Sequence, residues 1–157
     1  MDGHFDISET SERNNNISPT MQSAVKFLGG HKQWTGTVNG LGGLLKRQFK
    51  ISSQGQIING VLTFDETMEF NDGETQDRHW RLFDTPNGLA VEGSDISLVK
   101  HGYFNGEVLH IIYRIKFGVM TFNYRDSFKI GPNGQVLNIG YASILGLTIM
   151  KIEAHTL

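Results

Sequence analysis

The chain has 157 residues, 38% hydrophobic and 19% charged, with a formal net charge of −2. That composition fits one soluble globular domain with a real core, and the lack of a concentrated basic face argues against nucleic acid as a partner. Cysteine is absent, which excludes disulfides, thiolate catalysis, iron–sulfur ligation and cysteine-linked lipid.

Taken in chain order, residues 1–22 are polar, include three consecutive asparagines, and read as a flexible tail ahead of a single domain at 23–157. The start carries neither the basic nor the apolar region of a secretory signal, so a cytoplasmic protein is expected. No apolar run approaches the ~18 residues of a membrane span. MQSAVKFL (21–28) has the spacing of one short helix.

From there the pattern changes to alternating, β-branched and aromatic segments separated by Gly, Asn, Asp and Pro. QWTGTV (33–38), LLKRQFKIS (44–52), GVLTFDETMEF (60–70) and RHWRLF (78–83) are followed by LAVEGSDISLV (89–99). EVLHIIYRIKF (107–117), VMTFNYRDSFKI (119–130), QVLNIGYAS (135–143) and LTIMKIEAH (147–155) complete the series. SQGQ, NDGE, DTPNG, HGYFNG and GPNG are the links between them. Short strands at this spacing predict an all-β sandwich or barrel. A meander of this length must dispose of its edges, so an antiparallel up-and-down β-barrel of about eight to ten strands is the expected fold.

Side chains alternate faces along a strand. In LTFDETMEF one face carries Leu62, Phe64, Met68 and Phe70, with Glu66 in their midst. Arg47 lies on the face of Leu45, Phe49 and Ile51, and Arg78 on that of Trp80 and Leu82. Asp126 falls among Met120, Phe122, Tyr124, Phe128 and Ile130. The cleaner inner set of 107–117 is Leu109, Ile111, Tyr113, Ile115 and Phe117, so Tyr113 adds a hydroxyl to the interior. Four strands thus each turn one ionisable group inward, two acids and two arginines.

A lone buried charge is prohibitive, so such groups are paired or neutralised. One reading is a structural network that fixes barrel register; the other is a ligand cavity whose few polar groups orient a mostly apolar guest. The six histidines show no metal-ligand spacing, so no metal is expected. Serines 94, 97, 127 and 143 lack a nucleophile-elbow context. NGLGGLL has no helix behind its glycines to form a phosphate cradle. No cofactor is called for.

FDETMEFNDGETQDRHW, the upstream GLLKRQF, the later YRIKF and YRDSF, and the closing NGQVLNIGYASILGLTI resemble a bacterial family of unknown function, many of whose members are described as lipoproteins. The likeness covers most of 27–157, and its most specific part runs from the neighbourhood of Glu69 to Trp80. The resemblance implies a lipocalin-like (calycin) barrel and, from the lipid-modifying genes that accompany family members, an apolar or fatty-acid-derived ligand. Arg47, Glu66, Asp72, Gly73, Arg78, Trp80, Asp126 and Asn138 fall at its motif positions. Two departures stand out: Arg125-Asp126-Ser127-Phe128 where the family tends to have two acids and a tryptophan, and Asn138-Ile139 where it has asparagine-arginine. The lipoprotein cysteine is missing, so membrane anchoring does not carry over.

The expectation is therefore a small-molecule binding barrel, its ligand contacted by Arg47, Glu66, Arg78, Trp80, Tyr113, Tyr124, Asp126 and Asn138. The competing expectation is a cofactor-independent isomerase or cyclase with Glu66 or Asp126 as general acid or base, since burial can poise a carboxyl near neutrality. A structural or chaperone-like protein without a ligand is the third. The double-sided apolarity of 107–117 points to an outer contact, with the N-terminal segment or with a second subunit in a homodimer.

Overall fold

In the computed structural model, residues 17–86, 88–93, 96–117 and 119–157 are described. The expected tail at 1–16, Ser94, and the side chains of Ser97, Ile115, Phe117 and Met120 lie outside the described residues.

One helix, α1 (Pro19–Leu28), precedes ten strands: β1 (Gly30–Gly40), β2 (Leu45–Ile58), β3 (Val61–Phe70), β4 (Thr75–Thr85) and β5 (Gly88–Gly93), then β6 (Ile96–Asn105), β7 (Val108–Phe117), β8 (Met120–Ile130), β9 (Val136–Ile144) and β10 (Leu147–Thr156). Each strand pairs antiparallel with the next, and β1 pairs with β10, so the meander closes into a barrel with no free edge. The closing seam runs from Trp34 opposite Thr156 to Gly40 opposite Met150.

Three links differ from the sequence reading. SQGQ and HGYFNG lie largely inside β2 and β6, and 89–99 divides into β5 and β6. In β2 the period of two runs through the polar stretch, because Ser53 and Gly55 are the inward residues beneath α1. Between β5 and β6 the apolar alternation hides the turn that Gly93-Ser-Asp signals.

α1 closes one end of the barrel. Ser18 caps it, its Oγ accepting from Met21 N–H at 3.0 Å and donating to Asp84 on β4, and Pro19 occupies the first turn. Met21, Ala24, Phe27 and Leu28 are buried, Phe27 against Phe104 of β6. The sequence boundary of the tail at residue 22 therefore falls inside α1. Five hairpin links (β1–β2, β3–β4, β5–β6, β7–β8 and β9–β10) lie at the opposite end, the mouth, as an up-and-down topology requires.

Candidate functional site

The inward faces predicted for β2, β3, β4 and β7 supply the core: Phe49, Ile51, Leu62, Phe64, Met68, Leu82, Leu109, Ile111 and Tyr113 are all buried, and Tyr124 and Phe128 of β8 pack half-buried against them, whereas Ile130, expected on the same face, is exposed where β8 ends. Among them lies an inner space of about 80 Å³, bordered by Glu66, Arg78, Trp80, Tyr113, Asp126 and Asn138 and by Leu28 of α1. A broader hollow of about 850 Å³ lies on the outer wall around Thr37, Lys50 and Glu153. Neither interior acid nor Arg78 borders it, so the chemistry belongs to the small inner space.

Glu66 and Arg78 stand opposite each other on β3 and β4, but they do not form a contact ion pair. Glu66 Oε1 instead accepts from Trp80 Nε1 at 2.8 Å, and Arg78 donates from Nη2 to Gln76 Oε1 at 3.0 Å. Among the described residues, no carboxylate lies within ion-pair distance of Arg78. Burial holds the Glu66 carboxyl above the usual range, opposed by Arg78 and the Trp80 hydrogen bond and reinforced by Asp126. Glu66 touches the cavity, but so small an internal space offers none of the solvation of bulk water.

Asp126 is built into the opposite wall. Tyr113 Oη donates to its Oδ2 at 2.6 Å. On the other side, Gly140 of β9 faces it in register, and a Cβ there would lie 2.5 Å from Asp126 Oδ1. Only glycine leaves room for that carboxyl. Burial pushes Asp126 up, with hydrogen bonds from Tyr113 and Asn138 and the charge of Arg78 pulling it down. Tyr113 is driven well up by burial and by Asp126, which keeps its hydroxyl a proton donor. Its ring stands edge-on to Trp80 at 5.1 Å and stacks on Tyr124 at 5.3 Å. Burial also raises Tyr124, against the pull of Arg78. Asn138 anchors itself by donating Nδ2 to the Ser127 carbonyl at 3.3 Å.

The structure thus brings together Glu66, Arg78, Trp80, Tyr113, Tyr124, Asp126 and Asn138. Arg47 does not join them. It points to the inner side of β2 near the mouth, where its guanidinium lies 3.6 Å over the Phe70 ring. There it pairs with Asp72 at 2.9 Å and Glu74 at 2.7 Å in the β3–β4 link. The alternation gave its face correctly; its depth was invisible, because acids two and four residues beyond the end of a strand carry no periodic signal. Conversely, Gln76 and Gly140 escaped notice. Gln76 shares the face of Arg78 and Trp80, and Gly140 that of Asn138, so each lay two residues from a recognised position.

No helix among the described residues is long and apolar enough to cross a membrane, which says nothing of strands. No group of three or more potential metal ligands occurs among them either.

No curated protein matches the chain. Among solved structures it is similar to the S-type phycobiliprotein lyase CPES from Guillardia theta, at 5% identity with a TM-score of 0.64, over 93% of this chain and 95% of that one. The likeness extends to the whole lipocalin-like barrel and, at that identity, speaks to the fold alone. A family model described as protein of unknown function (DUF3833) matches residues 6–155. Spanning nearly the whole barrel, that match makes the chain a member of the DUF3833 family.

Proposed function

We propose that the barrel binds a small molecule with an apolar body and one acidic group, the acid directed at Arg78. The observation that carries this reading is the guanidinium itself: it lies inside the barrel, donates to Gln76, and leaves both interior carboxyls out of contact. A guanidinium keeps its charge in essentially any protein setting. Glu66 and Asp126 are both pushed towards their neutral forms by burial. Burial thus works against their charges while that of Arg78 stays in place, and a ligand carboxylate would supply Arg78 with an anion through two parallel hydrogen bonds. Trp80, Tyr113 and Tyr124 offer aromatic surface beside it, and Glu66 and Asp126, when protonated, offer further donors.

The free space of about 80 Å³ holds a few waters, whereas ligand sites generally enclose about 300–1,000 Å³. An acyl-length body therefore needs side chains to move, and Met68, unbranched and adaptable, is the cavity residue best suited to do so.

Titration calorimetry with decanoate and decanol, on the wild type and on Arg78→Met, tests the reading. Wild type is expected to bind the acid at least tenfold more tightly than the alcohol, and Arg78→Met to erase that preference. Equal affinity of the wild type for both probes, or an unchanged preference in the variant, removes Arg78 from the site. Native mass spectrometry of freshly purified protein is expected to show a co-purifying acidic adduct.

The second reading, a cofactor-independent isomerase or cyclase, is favoured by one observation: two raised carboxyls face one cavity, one of them bonded to a phenol. Such a pair divides acid and base roles naturally. Under it, Glu66→Gln or Asp126→Asn leaves ligand affinity within about twofold and abolishes turnover; turnover that survives both substitutions excludes it.

A further inference from the structure

The mouth of the barrel carries an unusual set of side chains. Leu44 in the β1–β2 link is 90% exposed, Val119 in the β7–β8 link 100%, and Leu145 and Leu147 at the β9–β10 turn 95% and 72%. Leu41 adds a fifth at 57%. These links are neighbours in space: Gly40 pairs with Met150, and Asn123 with Ser143, so the β9–β10 turn lies between the other two. At the closed end, the exposed large aliphatics among the described residues are Ile58 and Ile130, each about half covered, and Leu157 beside the start of β1, 83% exposed.

Two hairpins of the same geometry make the contrast sharper. At the closed end, Ile58 pairs with Val61 across Asn59-Gly60, with φ of 51° and 78°. At the mouth, Ile144 pairs with Leu147 across Leu145-Gly146, with φ of 51° and 82°. Two-residue turns with both φ positive strongly favour Asn-Gly, and the closed end uses it. The mouth puts leucine in the same left-handed conformation, where a bulky side chain is disfavoured. Leu41 repeats the exception with φ of 52°. Strained backbone here presents an apolar side chain to water, a double penalty that neither packing nor turn chemistry accounts for.

We infer that the barrel docks mouth-first on a lipid bilayer, with Leu44, Val119, Leu145 and Leu147 inserted among the acyl chains. The tips project singly from three links, which suits penetration of a fluid interface. The ionised groups of the β3–β4 link at the same end, Asp72 and Glu74, are already paired with Arg47, so docking rests on apolar burial without need of acidic lipid. This inference does not depend on what the barrel binds, although a guest of low solubility would pass between bilayer and cavity at that same mouth.

The test is flotation of the 157-residue chain with phosphatidylcholine vesicles, with and without phosphatidylglycerol. Wild type is expected to float with both, with less than a twofold loss at 0.5 M salt. Leu44→Ser combined with Val119→Ser and Leu147→Thr is expected to lower the bound fraction at least tenfold. Leu145→Asn alone is expected to weaken binding about threefold while raising Tm, because it installs the favoured turn residue. Wild type that stays with the unbound fraction, or a triple variant that floats as well as wild type, overturns the inference. So does self-association that the triple variant abolishes without any vesicle binding. Decanoate affinity, measured in detergent-free buffer, is expected to be unchanged in all of these variants, which separates this outcome from that of the ligand reading.

Discussion

Glu66 and Asp126 share a property that decides how the protein responds to pH. Each is held above the usual carboxyl range by burial, so the native state keeps these protons at pH values where the unfolded chain has released them. From the ordinary value near ~4 up to the raised one, folding takes up protons, and stability falls as pH rises through that window. Above it the deficit persists in full. Glu66→Gln keeps the acceptor for Trp80 Nε1 and removes the ionisation, so it is expected to raise Tm at pH 7.5, with the gain shrinking to nothing by about pH 4. Thermal unfolding of wild type and variant across that range checks it. A Glu66→Gln that is less stable at pH 7.5 would mean that Arg78 holds Glu66 ionised after all. Gly140→Ala bears on the same wall: its methyl group meets the Asp126 carboxyl, and overpacking of this kind typically costs about 1–3 kcal/mol. A Tm unchanged by Gly140→Ala would show that the Asp126 carboxyl moves freely, which its bond to Tyr113 argues against. At this scale the sequence was most informative where a charge broke an apolar alternation, as at Glu66, Arg78 and Asp126. It was silent where the decisive feature was a missing side chain, as at Gly140, since a glycine in a strand reads the same whether it makes room or merely bends.

At the scale of elements, α1 turns a tube into a vessel with one opening. Its buried residues recur at Met21, Ala24 and Leu28, with Phe27 beside them, the stripe expected of a helix with a single apolar face. Burying a large apolar side chain contributes roughly 1.5–3 kcal/mol, and Met21, Phe27 and Leu28 are three such residues. So short a helix has little stability of its own, and its start is fixed by Ser18. Ser18→Ala removes both the cap to Met21 and the bond to Asp84. A lost cap costs about 1 kcal/mol, and the exposed Asp84 bond adds less than a charged hydrogen bond in the interior would. The expected loss of Tm is roughly 3–6 °C, at ~2–4 °C per kcal/mol for a chain of this size; an unaltered Tm would mean that packing alone seats the helix. The apolar spacing of MQSAVKFL revealed this helix, but Ser18-Pro19, a strong start signal, was absorbed into the polar stretch before it. Strands were legible wherever alternation met a turn signal. The β5–β6 break was lost because alternation carried through it.

At the scale of the molecule, the seam between β1 and β10 is the one pairing with no link of its own: it joins residues 34–40 to residues 150–156. Every other pair is a hairpin between consecutive strands, able to form as soon as its two strands exist, while the seam waits for the whole chain. Closure could be inferred from sequence because an open meander leaves two edges; the residues that make it fit could not. Gly36 sits at the middle of the seam, between Phe49 of β2 and Ala154 of β10. A Cβ there would lie 2.4 Å from the Glu153 carbonyl oxygen and 2.5 Å from the Phe49 ring. The carbonyl is backbone and cannot rotate away, so Gly36→Ala must force β1 and β10 apart rather than displace a flexible side chain. Hydrogen exchange followed by mass spectrometry is expected to show faster exchange in segments 34–40 and 150–156, with segments 88–93 and 102–105 on the far side unchanged. Uniform acceleration around the ring would instead mean that the barrel opens only as a unit. Local opening at the seam, with the far side protected, would establish that the barrel is held shut at its closing pairing by the absence of a single methyl group.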